Sequence, residues 1–389
     1  VKKISLLLIL AGVALAFFGC TSPNASISEV KIGVVLPLSG NFKIQGNNVL
    51  SGVQLAIKEI NHIGGINNRP VRLIIADDTG DPVRTKEIML RMIEFEKVSA
   101  ILGGYSTEEG LAMRTVAEEK KIPCMAIGAS NCDITENVKY MFRVGFDDMV
   151  QARGIARFMR TQRFYEQIAV FVDLTPEATY ARGLGLLVAQ EFMDQGGAKP
   201  VLCGYRSDDP ASRDAAIAKA LKFHSEAIFT PSYYEEQLRC ITAIRKTGFG
   251  GLIIGSDGAV GDFSTIQKTC GDFVYPTVYS PGNAYAPGRA FRTLYFETYK
   301  KNPDHHAALG YDAGKSMAEA FRNHVTEPGD AAKSLRDRHT YDSVVSKVAR
   351  DEDGRMLYTV FMITVLPDGP RELCVMGPSM VNAPLTIKH

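Results

Sequence analysis

A chain of 389 residues, 46% hydrophobic and 22% charged with a formal net charge of +1, has room for two ordinary globular domains. A near-neutral balance without a basic stripe or an acidic tail argues against a nucleic-acid partner and against a solvating segment. Tryptophan is absent, which leaves fifteen tyrosines as the main amphipathic aromatics.

The first twenty residues, VKKISLLLILAGVALAFFGC, set Lys2 and Lys3 before an uncharged run from Ile4 to Phe18. Such a run reads as a secretory leader and is too short for a stable membrane span. Phe17-Phe18-Gly19-Cys20 resembles a bacterial lipobox, with Cys20 as the lipidated mature N-terminus, although Phe17 stands where Leu is usual. Ala14-Leu15-Ala16 offers an ordinary cleavage site instead, which would release a soluble protein. Export follows from either reading. In an exported compartment the even set Cys124, Cys132, Cys203, Cys240, Cys270 and Cys374 permits disulfides, and Cys124–Cys132 is the pair nearest in sequence. The plainer reading is that most are small buried hydrophobes. No C-x-x-C and no zinc-like histidine spacing occurs, so neither a metal nor a cofactor is expected.

From residue 31 a strand Ile32–Leu36 ends in Pro37-Leu38-Ser39-Gly40, a helix runs to Gly64-Gly65, and a second buried strand covers Val71–Ala76. Strand, crossover helix and strand form a right-handed βαβ unit with its ligand-facing turn at the strand's carboxyl end. The turn lacks G-x-G-x-x-G and G-x-x-x-x-G-K-[ST], which argues against a dinucleotide or nucleoside triphosphate. Alternation then continues. Asp81-Pro82 opens a helix with Ile88, Met89, Met92 and Ile93 on one face. Ala100–Gly103 is a strand, Ser106-Thr107-Glu108-Glu109 a capping box, Pro123–Ile127 a strand and Met141–Gly145 another.

Asp147–Arg160 leads into a second series: strand Ile168–Asp173, a long helix capped by Thr175-Pro176 and stopped at Gly196-Gly197, and strand Val201–Tyr205. A helix from Asp209-Pro210, strand Ala227–Thr230, helix Glu235–Thr247 and strand Leu252–Ser256 come next. Two helices, Arg289–Lys301 and Ala307–His324, precede a loop at Asn323–Asp330, a turn at Asp351–Gly354 and a hairpin strand Leu357–Leu366. Such alternation predicts α/β architecture, with parallel sheets covered by helices on both faces.

The block KIGVVLPLSG, together with the helix and the strand after it, resembles the start of the leucine/isoleucine/valine-binding family, periplasmic binding proteins that feed branched-chain amino-acid ABC importers. Resemblance spans roughly residues 30–370. It implies a type I periplasmic binding fold of two doubly wound parallel-sheet lobes joined by a hinge. The lobes implied are residues 30–146 with 280–358 and 147–279 with 359–389. It also implies an inner-membrane permease and its ATPase as partners, a monomer, and an amino acid in the cleft.

A free amino acid needs donors for its carboxylate and an acceptor for its ammonium. Ala129-Ser130-Asn131-Cys132-Asp133-Ile134-Thr135 resembles the family segment A-[ST]-N-x-x-[LI]-T. By that match Ser130 donates to the carboxylate and the Gly128 carbonyl accepts from the ammonium; the local alternative is that Ser130 caps a helical stub. Ser106 matches the carboxylate-binding serine to within one residue, so that Thr107 or Tyr105 can take the contact, whereas the capping box explains Ser106 without a ligand. Thr179-Tyr180-Ala181-Arg182-Gly183 resembles a Y-G-x-G segment and implies that Tyr180 touches ligand on closure. Tyr233 or Tyr234 follows a strand where the family also carries paired tyrosines. Gly255-Ser256-Asp257-Gly258 matches the family's G-x-[DE]-G, which makes Asp257 the ammonium partner; D-G is otherwise an ordinary turn signal. Gln45, with Phe42, falls at the wall of the side-chain pocket. Arg84 and Glu109 read as solvated face charges, and His62 is the sole histidine near a candidate cleft loop.

Two other classes compete with an importer component. An enzyme on this scaffold is disfavoured because G-x-S-x-G and H-E-x-x-H are both absent. An exported sensor presenting its ligand to a membrane receptor is compatible with every residue named.

Overall fold

The computed structural model describes residues 29–261, 265, 266, 268, 271–322, 327–351, 355–366 and 368–382. The leader with Cys20, Cys270, and parts of the Asn323–Asp330 loop and the Asp351–Gly354 turn lie outside the described residues.

Five strands form the first sheet: β1 (Val30–Leu36), β2 (Val71–Asp77), β3 (Ala100–Gly103), β4 (Cys124–Ile127) and β5 (Met141–Val144). They are parallel in the order β2-β1-β3-β4-β5. β1 is apolar on both faces because both faces are covered. Ile32, Val34 and Leu36 pack with Val49, Val53 and Ile57 of α1 (Lys43–His62). Val35 turns the other way, toward Ile88 and Met89 of α2 (Pro82–Arg91) and Met113 and Val116 of α3 (Thr107–Lys120).

The second sheet repeats the winding. β6 (Ile168–Asp173), β7 (Val201–Tyr205), β8 (Ala227–Phe229), β9 (Leu252–Ile254) and β10 (Phe273–Thr277) are joined in the order β7-β6-β8-β9-β10. Among the described residues, α4 (Asp148–Arg157), α5 (Thr179–Asp194), α6 (Pro210–Lys222) and α7 (Tyr234–Lys246) connect its strands or lead into it. Both sheets thus place their second strand outside their first, so each reverses direction between its first and third strands. In such open sheets a ligand crevice lies outside the carboxyl ends at that reversal.

Past β10 come α8 (Ala286–Tyr299), α9 (His305–Ala320), α10 (Pro328–Arg336), and a small antiparallel sheet of β11 (Thr340–Asp342), β12 (Lys347–Arg350) and β13 (Met356–Leu357). β14 (Val360–Leu366) and β15 (Gly369–Met376) then add an antiparallel hairpin to β10, and α11 (Pro378–Asn382) closes the described chain. α9 lies on α1 at backbone distance: a Cβ on Gly52 would stand 2.0 Å from the Ala307 carbonyl oxygen, and one on Gly310 would stand 2.1 Å from that of Val49.

The antiparallel hairpin β14–β15 extends a second sheet that is otherwise parallel. Three expectations need correction. The expected strand Leu357–Leu366 breaks at Tyr358-Thr359, because Leu357 pairs with β12 in one sheet and Val360 starts pairing in another. Thr175-Pro176 does not cap α5, which starts at Thr179. Thr175 instead closes a turn on Asp173, whose Oδ1 accepts from the Thr175 amide (3.0 Å), the Thr175 hydroxyl (2.7 Å) and the Ser207 amide (3.2 Å). Cys124 and Cys132 are separate thiols: Cys124 is buried among the residues under α2 and α3, and Cys132 opens the short helical stub after β4.

Candidate ligand-binding cleft

Loops at the carboxyl ends of the two sheets meet around one small cavity. Tyr105, Gly128 and Ser130 line it from the first sheet, and Tyr180, Tyr233, Asp257 and Gly258 from the second. His305 and His306, at the start of α9, complete the wall. Its free volume is about 10 Å³, room for no more than one water, so the two sides are closed on each other.

Asp257 follows β9 and is buried. Its Oδ1 accepts from the Tyr180 hydroxyl at 2.5 Å and the Gln151 Nε2 at 2.9 Å, while the Asp257 amide donates to Gln151 Oε1 at 3.0 Å. Burial pushes its carboxyl above the usual range, against the pull of these two donors. Gln151 is in α4, one turn after its start, and no local sequence signal singles it out. Asp148, on the same helix, is also buried, and neither carboxylate oxygen makes a hydrogen bond among the described residues. The Ser130 hydroxyl lies near enough to favour its charged form in part, yet outside hydrogen-bond geometry; burial, with the Asp257 charge adding, pushes Asp148 up to about 7. A sequence signal for Asp148 exists in Asp147-Asp148, an acidic pair at a helix start, where Asp147 is the cap and accepts from the Val150 amide at 2.9 Å.

Ser130 is buried, and its hydroxyl does not cap the stub after β4; Asn131 does, accepting from the Asp133 amide at 3.0 Å. The Ser130 carbonyl accepts from the Asp148 amide at 2.8 Å and from Arg143, which also donates to the Asn131 carbonyl at 2.9 Å. Gly128 holds φ of +116°, and a Cβ there would lie 3.0 Å from the Tyr105 ring. Only glycine meets both conditions without strain.

Ser106 lies outside the cavity wall. Its hydroxyl accepts from the Glu109 amide at 3.2 Å and its own amide donates to Glu109 Oε2 at 2.6 Å, so the capping box absorbs it. Thr107, buried, donates its amide to the Tyr233 hydroxyl at 3.1 Å. Tyr105 faces the cavity beside it. Of the two tyrosines after β8, Tyr233 lines the cavity and Tyr234 begins α7. Gln45 is buried but off the wall, its Nε2 donating to the Val260 carbonyl at 3.4 Å and so joining α1 to the segment after β9. Rings cross the cleft continuously: Phe42 to Tyr105 (centroids 5.0 Å), Phe42 to Tyr233 (5.1 Å) and Tyr233 stacked on Tyr180 (4.8 Å).

Two readings of charged residues are overturned. His62, the last residue of α1, is exposed, whereas His305 and His306 line the cavity. The His305 Nδ1 lies 2.8 Å from the Thr277 hydroxyl, and burial lowers its pKa to about 3; the His306 ring sits 5.5 Å from that of Tyr105. Arg84 is exposed as expected, but Glu109 is 0% exposed. Its cap bond draws it under the loop, and burial followed by the nearby Asp78 charge pushes it up to about 8. Among the described residues no group of three or more His, Cys, Asp or Glu is arranged to hold a metal ion.

Glu109 and Asp148 set a pH dependence. Their folded-state pKa values, about 8 and about 7, exceed the ordinary value near 4 of an unfolded carboxyl. A raised pKa contributes stability that is full below about pH 4 and is lost as pH rises through 7 to 8. The thermal midpoint is therefore expected to be higher at pH 5 than at pH 8.5, and Glu109→Gln should reduce that difference. Buried His305, held at about 3, opposes this trend below about pH 6.5, so a midpoint independent of pH from about 6.5 to 8.5 would contradict the burial of both acids.

A family model described as periplasmic binding protein matches residues 29–370. Leu/Ile/Val-binding protein homolog 1 of Brucella suis is 24% identical over 353 residues, covering 88% of this chain and 92% of its own. Among solved structures, a leucine binding protein of Thermotoga maritima aligns with a TM-score of 0.81 at 27% identity, covering 90% of this chain and 99% of that one. A branched-chain amino-acid transporter substrate binding protein of Streptococcus pneumoniae, in complex with isoleucine, aligns at 0.77 and 21% identity, covering 90% and 99%.

Proposed function

The chain belongs to the periplasmic binding protein family, and we propose that it is the solute-binding component of an ABC importer, taking a free amino acid between its two lobes. The observation that carries this reading is the pairing across one cavity of a buried carboxyl group, that of Asp257, with the Ser130–Gly128 loop. Asp257 receives the ligand ammonium. Ser130, and the Thr107 amide at the start of α3, receive its carboxylate, the amide exchanging the Tyr233 hydroxyl for a ligand oxygen. Tyr180 and Gln151 hold the Asp257 carboxylate in place.

Residues 30–146 with 280–358 make one lobe and 147–279 with 359–389 the other, and ligand shifts the population toward closure because it binds both at once. A permease with its ATPase reads the closed form. The role is binding rather than catalysis. Among the described residues no helix is long and apolar enough to cross a membrane; a lipid on Cys20 would tether the protein at the membrane surface.

A thermal-shift panel on protein unfolded and refolded to strip carried-over ligand tests this. Free amino acids are expected to raise the midpoint, since a ligand of the folded state alone stabilises it by mass action. Stabilisation only by acids lacking an ammonium would reject the role given to Asp257.

A further inference from the structure

A second, larger cavity lies elsewhere, behind the Ser130 loop. It measures about 620 Å³, within the range of small-molecule sites, and sits between the β4–β5 edge of the first sheet and the small sheet β11–β13. Five guanidinium groups line it: Arg143, Arg336, Arg338, Arg350 and Arg355. Among the described wall residues two are acidic, Glu136 and Asp147, and Asp147 is already paired with Arg355 at 2.7 Å. Asp337, Asp351 and Glu319 lie in the electrostatic surroundings of Arg350 and Arg338, outside the wall.

Arg143, Arg336 and Arg338 direct their hydrogen bonds to neutral oxygens. Arg143 reaches the Ser130 and Asn131 carbonyls and the Thr135 hydroxyl. Arg336 reaches the Lys139 carbonyl, and Arg338 reaches the Ser316 hydroxyl at 2.9 Å. None of these bonds neutralises charge. A guanidinium carries five donors in a fixed fork, so each retains N–H groups for a further acceptor. Burial lowers the pKa of Arg338, the direction expected of a cation withdrawn from water.

We infer that this cavity is a second binding site, separate from the amino-acid cleft, and that it takes a small polyanion bearing phosphate or several carboxylates. Planar bidentate pairing with such groups is what clustered arginines offer. Adjacent low-dielectric walls keep the attraction from being screened as it would be on an open surface. Arg143 also holds the Ser130 loop, so the variants that test the site leave it in place.

Calorimetric titration with inorganic pyrophosphate, on the full-length mature protein saturated with its amino acid, tests the inference. One site per chain is expected, weakening as sodium chloride is raised. Arg336→Gln combined with Arg338→Gln should lower pyrophosphate affinity by roughly ten-fold or more while leaving amino-acid affinity unchanged. Arg336→Gln alone serves if the double variant melts early, with a smaller loss in the same direction. Absence of pyrophosphate binding to the amino-acid-loaded wild-type protein, or affinity unaltered in both variants, would overturn the second site.

Discussion

Asp257→Ala is expected to weaken amino-acid binding by roughly two to three orders of magnitude with little change in fold. An ammonium closed into this cleft would lose its one anionic partner while Tyr180 and Gln151, which point at the carboxylate, lose theirs. Breaking a buried charge pair by deleting one member costs about 3–5 kcal/mol, and each 1.4 kcal/mol is a factor of ten in affinity. Calorimetric titration of the variant measures the loss, and its thermal midpoint separates it from unfolding. An affinity within about a factor of three of the wild type would remove Asp257 from the site.

Gly52→Ala is expected to be strongly destabilising, costing about 3 kcal/mol or more. The added Cβ would stand 2.0 Å from the Ala307 carbonyl oxygen and 2.7 Å from the Tyr311 amide. Both obstacles are backbone of α9, which no side-chain rotamer can move aside. Gly310 makes the reciprocal approach to Val49, so the two helices would have to separate along their whole contact. Urea unfolding measures the cost; a midpoint shifted by less than the equivalent of about 0.5 kcal/mol, an ordinary surface change, would mean that the helices accommodate the methyl group.

How much of the fold is readable in the chain depends on how local its cause is. The first βαβ unit is legible because its strand, helix and turn signals are contiguous, and β1, α1 and β2 begin and end within a few residues of the expected limits. The capping box at Ser106 is legible for the same reason, its two bonds spanning three residues. β10 is not. Its sequence Phe-Val-Tyr-Pro-Thr carries Pro276, which argues against a central strand, yet β9 pairs only with Phe273 and Val274, so no amide is missed at Pro276 on that side.

Within the cleft, positions carried by a strand-end pattern are legible and those carried by tertiary packing are not. Gly128, Ser130 and Asp257 sit in short loops at the ends of recognisable strands. His306 reaches the cavity only because α9 starts two residues earlier than its apolar pattern suggests, behind the Asp304 cap, and then runs against α1. Gln151 meets Asp257 across 106 positions of chain, a contact no spacing rule encodes. Glu109 reads as solvated because charge and helix position say so; its burial comes from the loops folded over it.

Whether Asp257 receives a ligand ammonium is decided by calorimetric titration of refolded protein with leucine and, side by side, with 4-methylpentanoate, the same molecule without its ammonium. Saturable one-to-one binding of the amino acid is expected, by leucine itself or by another member of the panel. The deaminated partner should bind at least about a hundred-fold more weakly, because Asp257 is then buried against an apolar carbon. Equal or tighter binding of the deaminated acid would make the cleft a carboxylate site in which Asp257 is structural.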